Sequence, residues 1–463
     1  MDDYFEQLLS PEHVDRNDLD MLAMWCAKTT AEGGASICSG TDCPVLALRS
    51  LSRVLARRGI VLPTYHGFSC EADPKKRAFL MRRDPSKTTL FTDALDLPSM
   101  WAFNVIPSRW QYVLRCGVLW GGFPCQDAST LNSNSNNVGE GSCIENGTHR
   151  TGAVFRAILQ YARAAGVEVI VLENVLGLGM RKKGQTYSNA QWALCHLNDP
   201  DYGDFFARCF EVHPRFFGSP VHRGRLYFIG LSRGFLRKCG WTDQRAEAEM
   251  IRIFRRMLDT WHLEPLESYC LPDSHWLVKQ HLAQCRARRW VASSTSKTAG
   301  TSCKWFRRHL TACRQKRVKW HKLGREWPEK FKLFPGLKVL CTRELEMLSI
   351  NGVTVPAAQH EQKILDVSQA WLRPLRPGHC SIVTPNGRLL HTGRGRLLTG
   401  FEKLLFQGLA WRDEEAVQRE CAKINSSLAG NAFEFRSFSA AFATGLIFRA
   451  VVFCTSLGTF STV

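Results

Sequence analysis

Short apolar runs alternate with longer helix-like stretches between about Ala35 and Leu231. The runs predict strands over 36–38, 66–70, 90–92, 118–120, 169–172 and 226–230. The stretches between them predict helices over 46–58, 74–83, 153–165 and 188–197. Strands and helices in strict alternation argue for a wound α/β sheet. A further amphipathic helix is expected over 10–28, opened by Ser10-Pro11-Glu12 and carrying Leu19, Leu22, Met24 and Trp25. Residues 232–395 lose the alternation, include the Pro-bearing stretch 372–385, and precede a C-terminal part where strand–helix order returns only weakly. The apolar tail after Gly445 is interrupted by Arg449 and reads as a buried terminal element.

The chain has 463 residues, enough for one large domain with insertions or two to three smaller ones. No run of 18 uncharged apolar residues reads as membrane-spanning, and the acidic start lacks a signal-peptide pattern, so an intracellular, nuclear location is expected. The 18 cysteines include no Cys-x-x-Cys pair, the closest being Cys38 and Cys43. Reduced thiols and no structural metal are therefore expected.

Net charge is +19, and residues 286–332 hold fifteen Lys/Arg against two Glu. Trp290, Trp305, Phe306, Trp320, Trp327 and Phe331 are interleaved with them. Cations neutralise phosphates and aromatics stack on bases, so this block is expected to bind nucleic acid. The plainer alternative is a solvated basic face whose aromatics form a small core.

The candidate chemistry sits at predicted strand ends, where open α/β sheets bind their ligands. The run Val118-Leu119-Trp120-Gly121-Gly122-Phe123 closes in Pro124-Cys125-Gln126, and Val169-Ile170-Val171-Leu172 closes in Glu173-Asn174-Val175. One end offers a thiol and the other a carboxylate, the pair that nucleophilic and acid–base chemistry needs. The first strand turns through Ser39 and Gly40 into a helix, the second ends at Glu71 and the third at Asp93. A carboxylate at such an end can take the hydrogen bonds of ribose hydroxyls.

These blocks resemble the cytosine-5 DNA methyltransferases. Pro-Cys-Gln with Ser129 matches the nucleophile motif, and Glu-Asn-Val matches the motif of the proton-handling glutamate. Arg150-Thr151-Gly152 resembles the segment that packs on cofactor and flipped base. Arg223-Gly224-Arg225 matches the paired-arginine motif, with Val221 in place of its glutamine. Residues 396–408 resemble the Arg-x-Leu-Thr-x-x-Glu block that braces the recognition domain, and Gly430-Asn431-Ala432 resembles the turn returning to the cofactor. The first glycine loop matches only at Gly40, since Asp42 and Cys43 stand where the family has glycines.

The resemblance implies a Rossmann-like class I methyltransferase sheet with a smaller target-recognition domain. It implies a helical lead over 1–30, a catalytic domain over 31–235 completed by 425–463, and recognition over 236–424. S-adenosylmethionine would be held by Ser39, Gly40, Glu71, Asp93 and Asn431. Cys125 would attack C6 of a cytosine flipped from double-stranded DNA, Glu173 would engage N3, and Arg225, with Arg223 beside it, would hold the base. Residues 131–142 would form a mobile loop closing over substrate. One rival is a tRNA cytosine-5 methyltransferase, although only Cys341-Thr342-Arg343 comes near that subfamily's Cys-Phe-Thr. The other is an idle nucleic-acid-binding protein of the same fold, which the altered glycine loop favours.

Overall fold

Nine strands form one sheet in the order β5-β4-β3-β2-β1-β6-β7-β9-β8. In chain order they are β1 (Glu32–Ile37), β2 (Thr64–Cys70), β3 (Leu90–Phe91), β4 (Trp101–Asn104), β5 (Arg109–Tyr112), β6 (Val118–Gly122), β7 (Val169–Val175), β8 (Phe205–Val212) and β9 (Arg225–Ser232). The structure, a computed structural model, describes residues 1–127, 143–181, 185–258, 261–287, 304–317, 327–369, 375–410, 414–420 and 422–457. β3, β2, β1, β6 and β7 run parallel, β4 and β9 run against them, and the edge strands β5 and β8 run with them again. This is the expected Rossmann-like α/β sheet, and its order reverses between β1 and β6. The crevice outside such a switch point is where open α/β sheets place ligands.

The apolar runs are nearly continuous because both faces of the sheet are covered. From β6, Leu119 joins the core made with Phe155 and Ile158 of the His149–Ala165 helix. Trp120 points to the other face, edge-on to Phe442 of the Phe435–Ser456 helix. The latter helix is long and apolar enough to cross a membrane, yet it is almost wholly buried and packs on β7 and β9. Arg449, the charge in its apolar C-terminal half, lies against Glu32 and Glu168 and over the Trp25 ring. That buried cluster explains an arginine in an apolar tail.

The chain divides into two compact units, 1–218 with 224–262 and 432–463, and 219–223 with 263–431. Three boundaries differ from expectation. Helix Asp243–Arg256 belongs to the first unit, where Arg252 pairs with Asp18 at 2.6 Å and Arg256 with Asp15 at 3.0 Å. The N-terminal lead is part of the same unit, because its Arg16–Lys28 helix packs on Phe435–Ser456. Residues 425–431 fall in the second unit. The helix expected from residue 10 begins at Arg16, because the Asp15 side chain caps the Asn17 amide, and a separate helix, Asp2–Leu8, precedes it.

The second unit holds a three-stranded antiparallel sheet, Ile364–Asp366, Leu389–His391 and Arg396–Leu397, over a core that includes Leu345, Leu348 and Leu390. The Arg396 block forms a buried brace. Two Arg396 nitrogens bond Glu402 at 2.8 and 2.9 Å, and Glu402 closes a capping box with Thr399. Trp327 and Phe331, expected among the base-stacking aromatics, are instead buried in this core, with Trp327 Nε1 bonding Ser349 Oγ at 3.1 Å. Their size favours burial over exposure between lysines.

Candidate active site

β6 and β7 pair in register up to Gly122 opposite Glu173. A Cβ at Gly122 would stand 3.3 Å from Glu173 Oε2 and 3.0 Å from the Phe433 ring, so glycine lets the carboxylate lie across the strand end. Cys125 follows three residues later, half-buried. The turn that carries it is pinned from both sides. Asn174, itself buried, donates Nδ2 to Phe123 O at 3.1 Å, and the Thr151 amide donates to Asp127 Oδ2 at 3.3 Å. A thiol on a loop anchored to two rigid elements is held where a reacting atom can meet it.

Arg225 opens β9, whose antiparallel pairing with β7 brings it to the same end of the sheet. Its Nε lies 2.7 Å from Glu173 Oε1, an ion pair whose N–H is not aimed at the oxygen. Behind them Tyr227, opposite Glu173 in register, is fully buried, and burial together with the fields of Glu173 and Glu434 pushes its hydroxyl well up. Glu434 caps the Phe435–Ser456 helix through the Ser437 amide at 2.8 Å, and burial pushes its carboxyl up as well. Cys125, Glu173 and Arg225 thus share one end of the β6–β7–β9 ladder. Arg223 was expected beside them as a second catalytic arginine. It is buried in the second unit, with terminal nitrogens donating to the carbonyls of Val383 at 2.6 Å and Gly430 at 3.1 Å, and these bonds hold that chain segment together.

Across the switch point, the loop after β1 and the end of β2 are tied together. The Gly40 amide donates to Glu71 Oε2 at 2.7 Å, and the Asp73 amide to Glu71 Oε1 at 2.9 Å. Ser39 Oγ bonds the Cys70 carbonyl and amide, both at 3.2 Å. Asp93 lies just beyond β3, its Oδ1 accepting from the Leu95 amide at 3.1 Å. Burial pushes the Cys38 thiol up to about 12, with Glu71 and Asp93 adding to the effect and Lys76 and Arg150 opposing it. Those four charges therefore surround the start of the loop.

The donor set suits a nucleoside cofactor. Two carboxylates on neighbouring strand ends can accept from ribose and adenine, Gly40 takes a left-handed turn at φ 55°, and Thr41 Oγ1 is buried with no partner among the described residues. Asn431, expected with this set, belongs to the second unit. It ends the Ala422–Asn431 helix, exposed, with Nδ2 on Ser427 O at 2.9 Å.

Sequence reasoning gave no role to Asn174 or Asp127, which anchor the thiol turn, nor to Tyr227 and Glu434. An Asn directly after a strand-end carboxylate, and Glu-x-x-Ser ahead of an apolar helix, were the available signals. Ser129 and the loop 131–142 lie outside the described residues, as does most of the basic block. Within that block, helix Lys304–Gln315 buries His309, Ala312 and Cys313 and exposes Arg307, Arg308 and Arg314, with Lys316 and Arg317 exposed just beyond. Among the described residues one group has metal-ligand chemistry, Glu267, Cys270 and His391, within 4.8 Å of one another. Glu267 is already engaged there by His391 and Arg394, which hold its carboxyl at about 2.

The sequence profile described as C-5 cytosine-specific DNA methylase matches residues 110–408. Similar curated proteins are the DNA (cytosine-5-)-methyltransferases DMT5 of Cryptococcus neoformans, 26% identical over 427 residues, and of Verticillium dahliae, 22% over 445. The alignments take in 86% and 81% of this chain but 16% and 18% of those proteins, so the chain spans less than a fifth of their length. Among solved structures, a Spodoptera frugiperda DNMT2 variant aligns at 13% identity and TM-score 0.42, covering 89% of this chain and 99% of that one. A putative prophage-encoded DNA modification methyltransferase from E. coli aligns at 13% and 0.41, covering 92% and 99%. Matched over more than half its length, the chain belongs to the C-5 cytosine-specific DNA methylase family.

Proposed function

We propose that this chain transfers a methyl group from S-adenosylmethionine to C5 of cytosine in double-stranded DNA. The observation that carries the reading is the shared strand end of β6, β7 and β9, where the anchored Cys125 turn, Glu173 and Arg225 meet. Cytosine C5 is too weak a nucleophile to be alkylated unaided. Addition of the Cys125 thiolate to C6 forms a C–S bond and moves the ring electrons toward C5. Glu173, as the carboxylic acid, stabilises that charge by donating its proton toward N3, and Arg225 holds both the carboxyl group and the base. When bound, S-adenosylmethionine supplies an electrophilic methyl group. Ser39, Gly40, Glu71 and Asp93 are the residues of this chain that would hold it. Once C5 carries the new group, its proton leaves to a base, the C5–C6 double bond re-forms and the thiolate departs.

The exposed cations of helix Lys304–Gln315 support a phosphate-binding role, and a DNA substrate implies work in the nucleus. Replacing Arg307, Arg308, Lys316 and Arg317 by Gln should flatten the slope of log affinity against log salt by up to about 0.9 per lost contact. An unchanged slope in a salt titration on one duplex would remove this helix from the interface. The function itself is tested by bisulfite sequencing of an unmethylated duplex incubated with the protein and S-adenosylmethionine. Protected cytosines are expected, and they should vanish with Glu173→Ala.

A further inference from the structure

Asp42 occupies a place where the family has glycine, and it keeps a glycine-like backbone there, φ 55° and ψ 37°. A side chain in this left-handed region is strained for most residues and mildest for Asn and Asp. The Asp42 side chain is 7% exposed and does not cap the Cys43–Arg57 helix that it precedes. It points instead into the polar space between β1 and β2. Ser36 Oγ donates to it at 2.9 Å, Ser69 Oγ at 3.0 Å, and Lys87 Nζ lies 2.8 Å away. Lys87 reaches in from the segment before β3, its side chain 2% exposed, and also donates to Ser69 at 2.9 Å. The same hydroxyls run on to the cofactor loop, since Ser36 Oγ is 2.8 Å from Ser39 Oγ, which bonds both the carbonyl and the amide of Cys70.

A buried carboxylate without its cation is strongly disfavoured, whereas glycine at the same place needs no cation. The two residues therefore make sense only together. Resting on the cofactor reading above, we propose that Asp42 and Lys87 jointly replace the family's second loop glycine, and that Lys87 is a positioning residue for S-adenosylmethionine. It touches no cofactor itself. It fixes Asp42, and through Ser36 and Ser39 it fixes the turn whose Gly40 amide meets Glu71.

The test measures S-adenosylmethionine affinity by calorimetry, well below the melting temperature, alongside thermal melting, for the full chain and three variants. Lys87→Met is expected to weaken binding by roughly tenfold or more, since it strands the carboxylate that holds the loop. Adding Asp42→Gly to Lys87→Met should return affinity to within about threefold of wild type. Lys87→Arg, which keeps the charge, should bind more tightly than Lys87→Met. Wild-type binding with an unchanged Lys87→Met affinity, even at a lowered melting temperature, would mean a purely structural pair and overturn the proposal alone. A double variant as weak as Lys87→Met overturns it too. Should Lys87→Met not fold, a folded and binding double variant supports the proposal, and a double variant that also fails to fold overturns it. A wild-type chain that binds no S-adenosylmethionine overturns the cofactor reading and this proposal with it.

Discussion

The two sides of the switch point are built on different terms. At the β6–β7–β9 end, each proposed task belongs to a side chain that no other residue type replaces, a thiol, a carboxylate and a guanidinium. Those residues stand where the family motifs put them. At the β1–β2 end the task is a backbone shape, a tight left-handed turn that brings Gly40 N–H against Glu71. A shape can be held in more than one way. Here Asp42 adopts the glycine conformation and a buried ion pair holds it there. Loss of motif letters thus means different things at the two ends: at the first it would remove chemistry, and at the second it changes what maintains the geometry.

The comparison breaks most readily at Glu173. Glu173→Gln keeps the shape but removes the negative charge and the acid, so methyl transfer should fall by about 10²–10⁴-fold. Cofactor affinity, set across the switch point, should be unchanged, as methyl-transfer kinetics beside calorimetry would report. A comparable loss of both would mean that the two ends are not separable.

The next effect is a pH dependence confined to the β1–β2 end. His66 bonds Ser69 Oγ at 3.2 Å, and burial, with Lys87 adding to it, depresses its imidazole to about 4. The folded state therefore binds fewer protons than the unfolded state between pH 4 and 6.5. The stability this implies is present above about pH 6.5 and is lost as pH falls toward 4, on the order of 3 kcal/mol in all. His66→Gln should flatten that acid limb in denaturant titrations at several pH values, and an identical limb in the variant would place the titrating group elsewhere.

Smaller still is the share of single cofactor contacts. Alanine at Glu71 or Asp93 should weaken S-adenosylmethionine binding by roughly 1.5–3 kcal/mol, the range for a hydrogen bond made by a charged group. Cys125 chemistry on a trapped base should remain measurable. Normal affinity in both variants would show the cofactor site to be misplaced.

Much of the site was legible in the sequence because a sheet covered on both faces turns its strands into apolar runs, and the chemistry begins where each run stops. Cys125, Glu173, Glu71 and Asp93 were picked as candidates at those ends. The resemblance singled out Arg225 to hold the base, but it left Arg223 beside it, because only the start of β9 shows which one reaches Glu173. Trp327 and Phe331 were obscured by the lysines around them, whose burial-free heads say nothing of a neighbouring aromatic. The Phe435–Ser456 helix is apolar all round, so it carries no helical stripe to read. Strand β8, with Arg208 and Glu211 among its apolar residues, falls between the two patterns.

The central claim is that Cys125 forms a bond to C6 of cytosine. It is tested most directly by incubating the wild-type chain and Cys125→Ser with a 5-fluorocytosine duplex and S-adenosylmethionine, followed by denaturing electrophoresis and mass analysis. Fluorine at C5 cannot leave as a proton does, so the attacking residue stays attached to the ring. The account predicts a denaturation-resistant adduct for the wild type, mapped to the peptide containing Cys125, and none for Cys125→Ser, whose oxygen is a far weaker nucleophile than thiolate. An adduct formed by Cys125→Ser, or one mapped to another cysteine, would contradict it.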